Sequence, residues 1–406
     1  MDQQQSTITD QLTLRDTWYE IRLDDVAWNC QQVLSFLSRM AKEARKDQPP
    51  ILAPVLKANG YGMGAVQIAQ VCIDQGIELL AVATLSEALE LRNAFPDQRI
   101  MIMGYTSDRL LKHVIEHHIE PTLFEYEQAK LLSSLWSQGS QHQTKADVHI
   151  HIKIETGLNR LGCDPGKRGQ DQVRLIAQLP GLRIASGFSH LALTNQESDW
   201  QQYRKLVTFV EALRTSGTQI PLVHLADSIG MVRYPEFHLD MVRPGAILYG
   251  APPLGAPYNL DIRVPFALKT RITRVRRLAP GEGVGYDFTW KAPAAGAIVA
   301  TIPIGYADGY CRSFSNKAQV MIRHQRAPVV GLVNMDQAMV DVSGIPDVQS
   351  NDEVLLLGKS ETDEIPLLDA AKWANTNRNE ILAGIGRRVP RVYITNGQIS
   401  QVVSYV

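Results

Sequence analysis

Cysteine is scarce in this chain: Cys30, Cys72, Cys163 and Cys311 stand far apart and never form a C-x-x-C pair. That spacing argues against a zinc site or a disulfide framework and leaves a reducing compartment as the default. An excess of charge of either sign is also missing. With 41 basic and 42 acidic residues the formal net charge is −1, and the basic residues are scattered. Neither nucleic acid nor an anionic membrane surface is therefore expected as a partner, and small neutral or zwitterionic molecules fit better. No apolar run approaches the roughly 18 residues a membrane span needs, and "MDQQQSTITDQ" contains no signal-peptide core. The expected location is cytoplasmic. Internal repeats and low-complexity segments are absent. What is present is 406 residues, 45% of them hydrophobic, enough for one large domain and a smaller one.

From about residue 50 to 250 short β-type runs alternate with helical patterns, which predicts βα units and a parallel sheet. Eight strands are expected, beginning near Ile51, Leu79, Arg99, Ile119, Asp147, Leu182, Leu222 and Leu239. Eight such units match a (β/α)8 TIM-type barrel, whose sites lie at the C-terminal ends of the strands. Thr84 with Glu87 three residues on reads as a capping box at one strand-to-helix switch. After Pro265 the runs "FALKTRITRVRRL", "AIVATIPIG", "AQVMI", "APVVGLV" and "EVLLLG", parted by glycine and proline turns, predict a β-rich second domain. The expected division is an N-terminal segment, 1–17, packing with the β domain; a barrel, 18–264; and a C-terminal β domain, 265–406.

In "APVLKANGYGMGA" Lys57 ends an apolar run and precedes a glycine-rich turn, so it stands at the mouth of the first barrel strand. Strand five, "DVHIHIKIETGLNRLG", puts Val148, Ile150, Ile152 and Ile154 on one face and His149, His151, Lys153 and Glu155 on the other. The alternation fits a half-solvated antiparallel strand equally well, but in a parallel barrel it sends polar groups inward, where charges must be paired. His190 in "GFSHLA", and His224, Asp227 and Ser228 in "VHLADSIG", follow later strands. Arg243, Gly245 and Ala246 in "DMVRPGAILYG" follow the eighth, where this fold commonly binds phosphate. Taken singly, each residue also has a structural reading: a surface lysine, a satisfied core histidine, a turn. Together, a lysine at one strand end and a phosphate cradle across the barrel are the signature of pyridoxal phosphate.

These segments resemble the alanine racemase family, fold type III pyridoxal-phosphate enzymes, over nearly the whole chain. "VLKANGYGMG" is similar to the family's lysine segment, which implies that Lys57 holds the cofactor covalently and Tyr61 reaches its phosphate. "KIETGLNRLG" resembles the strand-five segment, implying that Lys153 is the position often carbamylated and that Arg160 lies near the cofactor's phenolic oxygen and the substrate. "SHLA" supplies His190. "RPGAILYG" supplies Arg243 for the pyridine nitrogen and Gly245 and Ala246 as phosphate-binding amides, with Ser228 adding a hydroxyl. "GVGYDFTW" resembles the segment bearing the second catalytic base, which makes Tyr286 the candidate; without the resemblance it would read as an aromatic packed in a hairpin. The resemblance further implies a homodimer whose β domain completes the partner's site, with Met335 beside the substrate. The implied reaction is interconversion of L- and D-alanine by two bases, Lys57 and Tyr286, with no metal. One group on each face of a planar carbanion is what racemisation requires. A tyrosine, with a free pKa near 10, needs cationic or hydrogen-bonding neighbours before it can act as a base, and His190 and Arg243 are expected to supply them.

The chain departs from the family pattern at Gly60, Met63, Asp227, Asn334 and Asn379. Asp227 brings a carboxylate toward the phosphate cradle, and Asn379 stands where most members have tyrosine, as in the serine racemase domains of vancomycin-resistance systems. Serine or broader specificity is therefore an alternative to alanine. A non-catalytic pyridoxal-phosphate-binding protein is a further reading, against which the β domain and Tyr286 argue. A fold type III decarboxylase lacks support because its glycine-triplet loop and cysteine-aspartate site are not found.

Overall fold

The computed structural model describes residues 14–138 and 146–405. Eight parallel strands form the barrel: Ile51–Leu52, Leu79–Val82, Arg99–Ile102, Thr122–Leu123, Val148–Lys153, Leu182–Phe188, Leu222–His224 and Met241–Val242. Six of them are continuously paired, from Thr122–Leu123 round to Ile51–Leu52, and Leu79–Val82 pairs with Arg99–Ile102. Parallel bridges between Val55 and Ala81 and between Met101 and Glu120 close the ring. The strands lie within a few residues of their expected starts. Leu79–Val82 is buried at every position, as a parallel strand covered on both faces must be. The Thr84–Glu87 capping box is formed at the start of Leu85–Ala94.

The inward set on strand five differs from expectation at its first residue. His151 and Lys153 are buried, whereas His149 is exposed. The strand enters the barrel at its N-terminal rim, so only its later polar residues reach the interior.

Most of the N-terminal segment, residues 1–13, lies outside the described residues. The sequence reading divides the strand Thr17–Arg22 between that segment and the barrel; Thr17 keeps the expected company of the β domain, and the rest of the strand joins it there instead of the barrel. It lies in the large C-terminal sheet, antiparallel to Phe266–Arg271 and parallel to Arg391–Thr395. Its backbone pairs with both strands, and its Trp18, Tyr19 and Ile21 are buried there. From that sheet the helix Leu23–Glu43 leads into the barrel. A three-stranded sheet, Arg274–Leu278, Ala297–Ile302 and Ala338–Asp341, stands beside the large one. A short hairpin, Gly283–Val284 with Trp290–Lys291, carries the turn Tyr286–Phe288.

Candidate active site

Lys57 opens the short helical segment Lys57–Tyr61 at the mouth of the first strand, and the chain then turns left-handed. Ala58, Asn59, Gly60 and Tyr61 all have φ between 52° and 59°. Such a conformation costs an L-residue about 1–2 kcal/mol, so it needs support. One Glu87 carboxylate oxygen accepts the Ala58 amide at 2.7 Å, while the other accepts the amides of Ala83 at 2.9 Å and Thr84 at 3.1 Å. Buried Arg391, from the β domain, donates twice to the Gly62 carbonyl, at 3.0 and 2.9 Å. Gly62 has φ 83°, and a Cβ there would meet the Leu382 carbonyl oxygen at 2.5 Å, so neither its conformation nor its surroundings admit another residue. Partial burial and the Arg160 guanidinium lower the Lys57 pKa, against the opposing pull of Glu87 and Asp227. More of its Nζ is therefore unprotonated, the form in which an amine is a nucleophile or base.

Across the mouth, the amides of Gly245 and Ile247 approach the Ser228 hydroxyl at 2.9 and 3.4 Å. A Cβ on Gly245 would lie 2.5 Å from the Tyr61 hydroxyl, so glycine is what lets the phenol overhang this backbone. Ala246 begins the turn Ala246–Tyr249 and its amide has no acceptor among the described residues. Tyr61 stacks on Tyr249 with centroids 4.5 Å apart, and burial with Asp227 raises its pKa to about 12. It remains a neutral donor. Asp227 is not a loose charge in this cradle: Oδ1 caps Ser228–Arg233, accepting the amides of Ile229 at 3.0 Å and Gly230 at 2.9 Å.

Between these walls lies a cationic floor. Burial, reinforced by Arg243 and Arg160, pushes the Lys153 ammonium well below its ordinary pKa. Its Nζ sits 4.2 Å from the centroid of the Phe188 ring. His190 is driven down to about 2 by burial and then by Arg243, Lys153, Arg160 and Lys57. Of the two kinds of help expected from His190 and Arg243, cationic or hydrogen-bonding, a neutral His190 is left with the second, and the positive charge belongs to the arginines. Arg243 is buried, with its pKa brought to about 10 by burial. It donates to the carbonyls of Ser189 at 2.8 Å and Leu225 at 3.1 Å and contacts His224 Nδ1.

A buried chain of polar groups continues from there. His224 Nε2 lies 2.7 Å from Ser186 Oγ, Ser186 Oγ lies 2.6 Å from His151 Nδ1, and His151 Nε2 lies 3.0 Å from Glu120 Oε2. Arg99 closes it with bonds of 2.7 and 2.9 Å to the Glu120 carboxylate. Arginine can only donate, which fixes every proton: His224 accepts at Nδ1 and donates from Nε2, Ser186 donates to His151, and His151 donates to Glu120. The sequence reading singled out His151 and His224 but not Ser186, Glu120 or Arg99. An inward-facing carboxylate at a strand's start was the available signal.

The structure thus brings together Lys57, Tyr61, Lys153, Arg160, His190, Ser228, Arg243, Gly245 and Ala246. It places Tyr286 and Met335 elsewhere, on the β domain, 67% and 54% exposed. Among the described residues the Tyr286 hydroxyl has no hydrogen-bond partner. Asn379 is exposed in the helix Arg378–Ala383, whose Leu382 carbonyl abuts Gly62. Asn334 is half-buried, and its side-chain oxygen has no partner among the described residues.

Comparison with known proteins agrees with this architecture at every level. The family described as alanine racemase, N-terminal domain, matches residues 22–253, and alanine racemase, C-terminal domain, matches 266–393. An alanine racemase of Clostridium perfringens is 39% identical over 401 residues, 97% of this chain and 100% of the relative. The structure of an alanine racemase of Clostridium difficile 630 superposes with a TM-score of 0.86 at 29% identity, covering 97% of this chain and 100% of that one. A Bartonella henselae alanine racemase with covalently bound pyridoxal phosphate gives 0.79 at 26% identity, covering 93% and 99%. The chain belongs to the alanine racemase family.

Proposed function

We propose that this protein is a pyridoxal-phosphate-dependent alanine racemase that interconverts L- and D-alanine with Lys57 and Tyr286 as the two proton carriers. The observation that carries the reading is the barrel mouth itself, where a lysine of lowered pKa faces a cradle of neutral donors over a cationic floor. That donor set fits the cofactor. A phosphate is well served by the Ser228 and Tyr61 hydroxyls and the amides of Gly245 and Ala246, the last without another acceptor among the described residues. Lys57 would hold the cofactor covalently, and Arg243 would stand at its ring nitrogen. Bound pyridoxal phosphate supplies an electron sink for the pair left on Cα when its proton departs.

The chain's own residues supply the rest. Lys57 Nζ takes or returns the α-proton on one face, and Tyr286 Oη does so on the other. Arg243 and Arg160 provide the positive field that favours a phenolate over a phenol, while neutral His190 offers a hydrogen bond. Lys153, buried and with its pKa pushed well below the ordinary lysine value, is suited to take up carbon dioxide as a carbamate. Tyr286, Phe288, Tyr306 and Met335 are large side chains left exposed on the β domain, which supports a homodimer in which each Tyr286 serves the other copy's barrel. Serine is a second substrate on this reading, because Asn379 is exposed beside the lysine turn with an amide that a β-hydroxyl can meet.

The test is direct. Purified protein loaded with pyridoxal phosphate and given L-alanine should form D-alanine by chiral chromatography, and borohydride should fix the cofactor to the peptide containing Lys57. No D-alanine from holoenzyme that carries the label would refute the activity, and a label on another lysine would refute the site.

A further inference from the structure

We propose that His113, Glu116 and His117 form a binding site for a divalent transition-metal ion on the outer face of the barrel, remote in sequence from every residue assigned to racemisation. The helix Leu111–Glu116 buries Leu111 and Val114, so the periodicity turns Lys112, His113 and Glu116 outward, with His117 at the helix end. Residues three and four apart share one helix face. Here they supply two imidazoles and a carboxylate, with one donor atom from each lying within 4.8 Å of the other two. Donors around a tetrahedral zinc ion stand about 3.3 Å apart, given metal–ligand bonds of about 2.0–2.1 Å. Small side-chain rotations close the difference. The His113 and His117 rings are already near-parallel, at 28°, with centroids 6.3 Å apart, and His113 Nδ1 lies 3.0 Å from Glu116 Oε2.

The backbone beneath the site is held. Arg92 donates to the carbonyls of His117 and His118, both at 2.9 Å, and to those of Phe95 and Pro96 at 3.2 and 2.6 Å. The turn bearing His117 is thus fixed before any ion arrives, which cuts the ordering cost of binding. Two nitrogens and one oxygen select zinc, nickel or copper over magnesium or calcium, and three protein ligands leave a position for water. The opposing group is Lys112, whose Nζ lies 3.4 Å from Glu116 Oε1 and competes for the carboxylate.

The experiment uses the full-length, untagged holoenzyme, freed of excess cofactor and of adventitious metal by a chelator, and titrates it with zinc chloride by isothermal calorimetry. One saturable site per chain is expected. His113→Ala and His117→Ala should each weaken it about tenfold or more. Lys112→Ala, which frees Glu116, should tighten it, and His324→Ala, at an exposed histidine paired with Asp363 and Thr362, should leave it unchanged. Racemase activity should be the same in all four variants. Absence of saturable zinc binding, or binding that survives in the His113→Ala/His117→Ala double variant, would overturn the proposal.

Discussion

Ser186→Ala tests the buried polar chain at its most informative point. Ser186 is fully buried, and its hydroxyl both accepts from His224 Nε2 at 2.7 Å and donates to His151 Nδ1 at 2.6 Å. Alanine leaves a donor on one ring and an acceptor on the other with no partner. Neither ring can escape by changing tautomer, because Arg243 requires an acceptor at His224 Nδ1 and Glu120 requires a donor at His151 Nε2. Each stranded group costs about 1–3 kcal/mol, so the loss of stability should be about 2–6 kcal/mol. Urea unfolding followed by circular dichroism measures it, with the midpoint falling at an unchanged slope. His224 also aims the Arg243 guanidinium, so kcat should fall by about tenfold, which corresponds to about 1.4 kcal/mol, with bound cofactor retained. A stability change below about 0.5 kcal/mol, the range of ordinary surface substitutions, would show that the chain of protons deduced from Arg243 does not exist.

Glu87→Ala strips the acceptor from three backbone amides, two at a strand end and one beside Lys57; a loss of about 1–2 kcal/mol is expected, with slower cofactor fixation at Lys57 by absorbance. For Glu120, burial alone would raise the carboxyl pKa, but the hydrogen bonds from His151 and Arg99, with the guanidinium charge, outweigh it and bring the value to about 2. A depressed carboxyl stabilises the fold above its unfolded pKa and loses that contribution as pH falls toward the folded value, so about 3 kcal/mol should disappear between about pH 4.5 and 2; Glu120→Gln should flatten that part of the acid-unfolding curve. Tyr286→Phe should keep the cofactor and lose racemisation, with α-proton exchange impaired more from one enantiomer than the other, and mixing it with Lys57→Ala subunits should restore part of the activity through hybrid dimers. Asn379→Tyr should lower the ratio of kcat/KM for L-serine to that for L-alanine; a ratio that stays level or rises removes Asn379 from specificity.

The barrel was legible because its strands are short apolar runs at regular intervals, and each lies within a few residues of its expected start. Lys57, Ser228, Arg243 and Gly245 were legible because strand ends in this fold face one mouth. What sequence concealed was whatever depends on distance across the fold. Ser186 in "ASGFSH" looks like any small strand residue, and only the register of His151 opposite Ser186 between adjacent strands makes it a link. Thr17–Arg22 has an alternating pattern that fits a strand, but no local feature says that its neighbours are some 250 and 370 residues away. The cationic surroundings of His190 were equally hidden, since they come from Lys57, Lys153, Arg160 and Arg243 on separate elements.

The lysine turn shows why the β domain matters to the barrel beyond carrying Tyr286. Three non-glycine residues, Ala58, Asn59 and Tyr61, sit in the left-handed region; at about 1–2 kcal/mol each, less for asparagine, they store a few kcal/mol. Glu87 offsets part of this from within the barrel. The remainder is met largely from the C-terminal sheet. Arg391 donates to the Gly62 carbonyl while its other N–H groups bond the carbonyls of Ile385, Gly386 and Val389, and the Tyr393 hydroxyl donates to the Met63 carbonyl at 2.9 Å. The Asn59 amide reaches the Tyr405 hydroxyl at 3.1 Å. Arg391 and Tyr393 lie on the strand that pairs with Thr17–Arg22, so the residues at the chain's two ends build the platform on which the strained turn rests. A barrel without that sheet would keep Lys57 in its sequence but lose the bonds that hold the turn, and relaxation of Ala58 to an ordinary right-handed conformation would carry Nζ away from the cradle formed by Ser228 and Gly245.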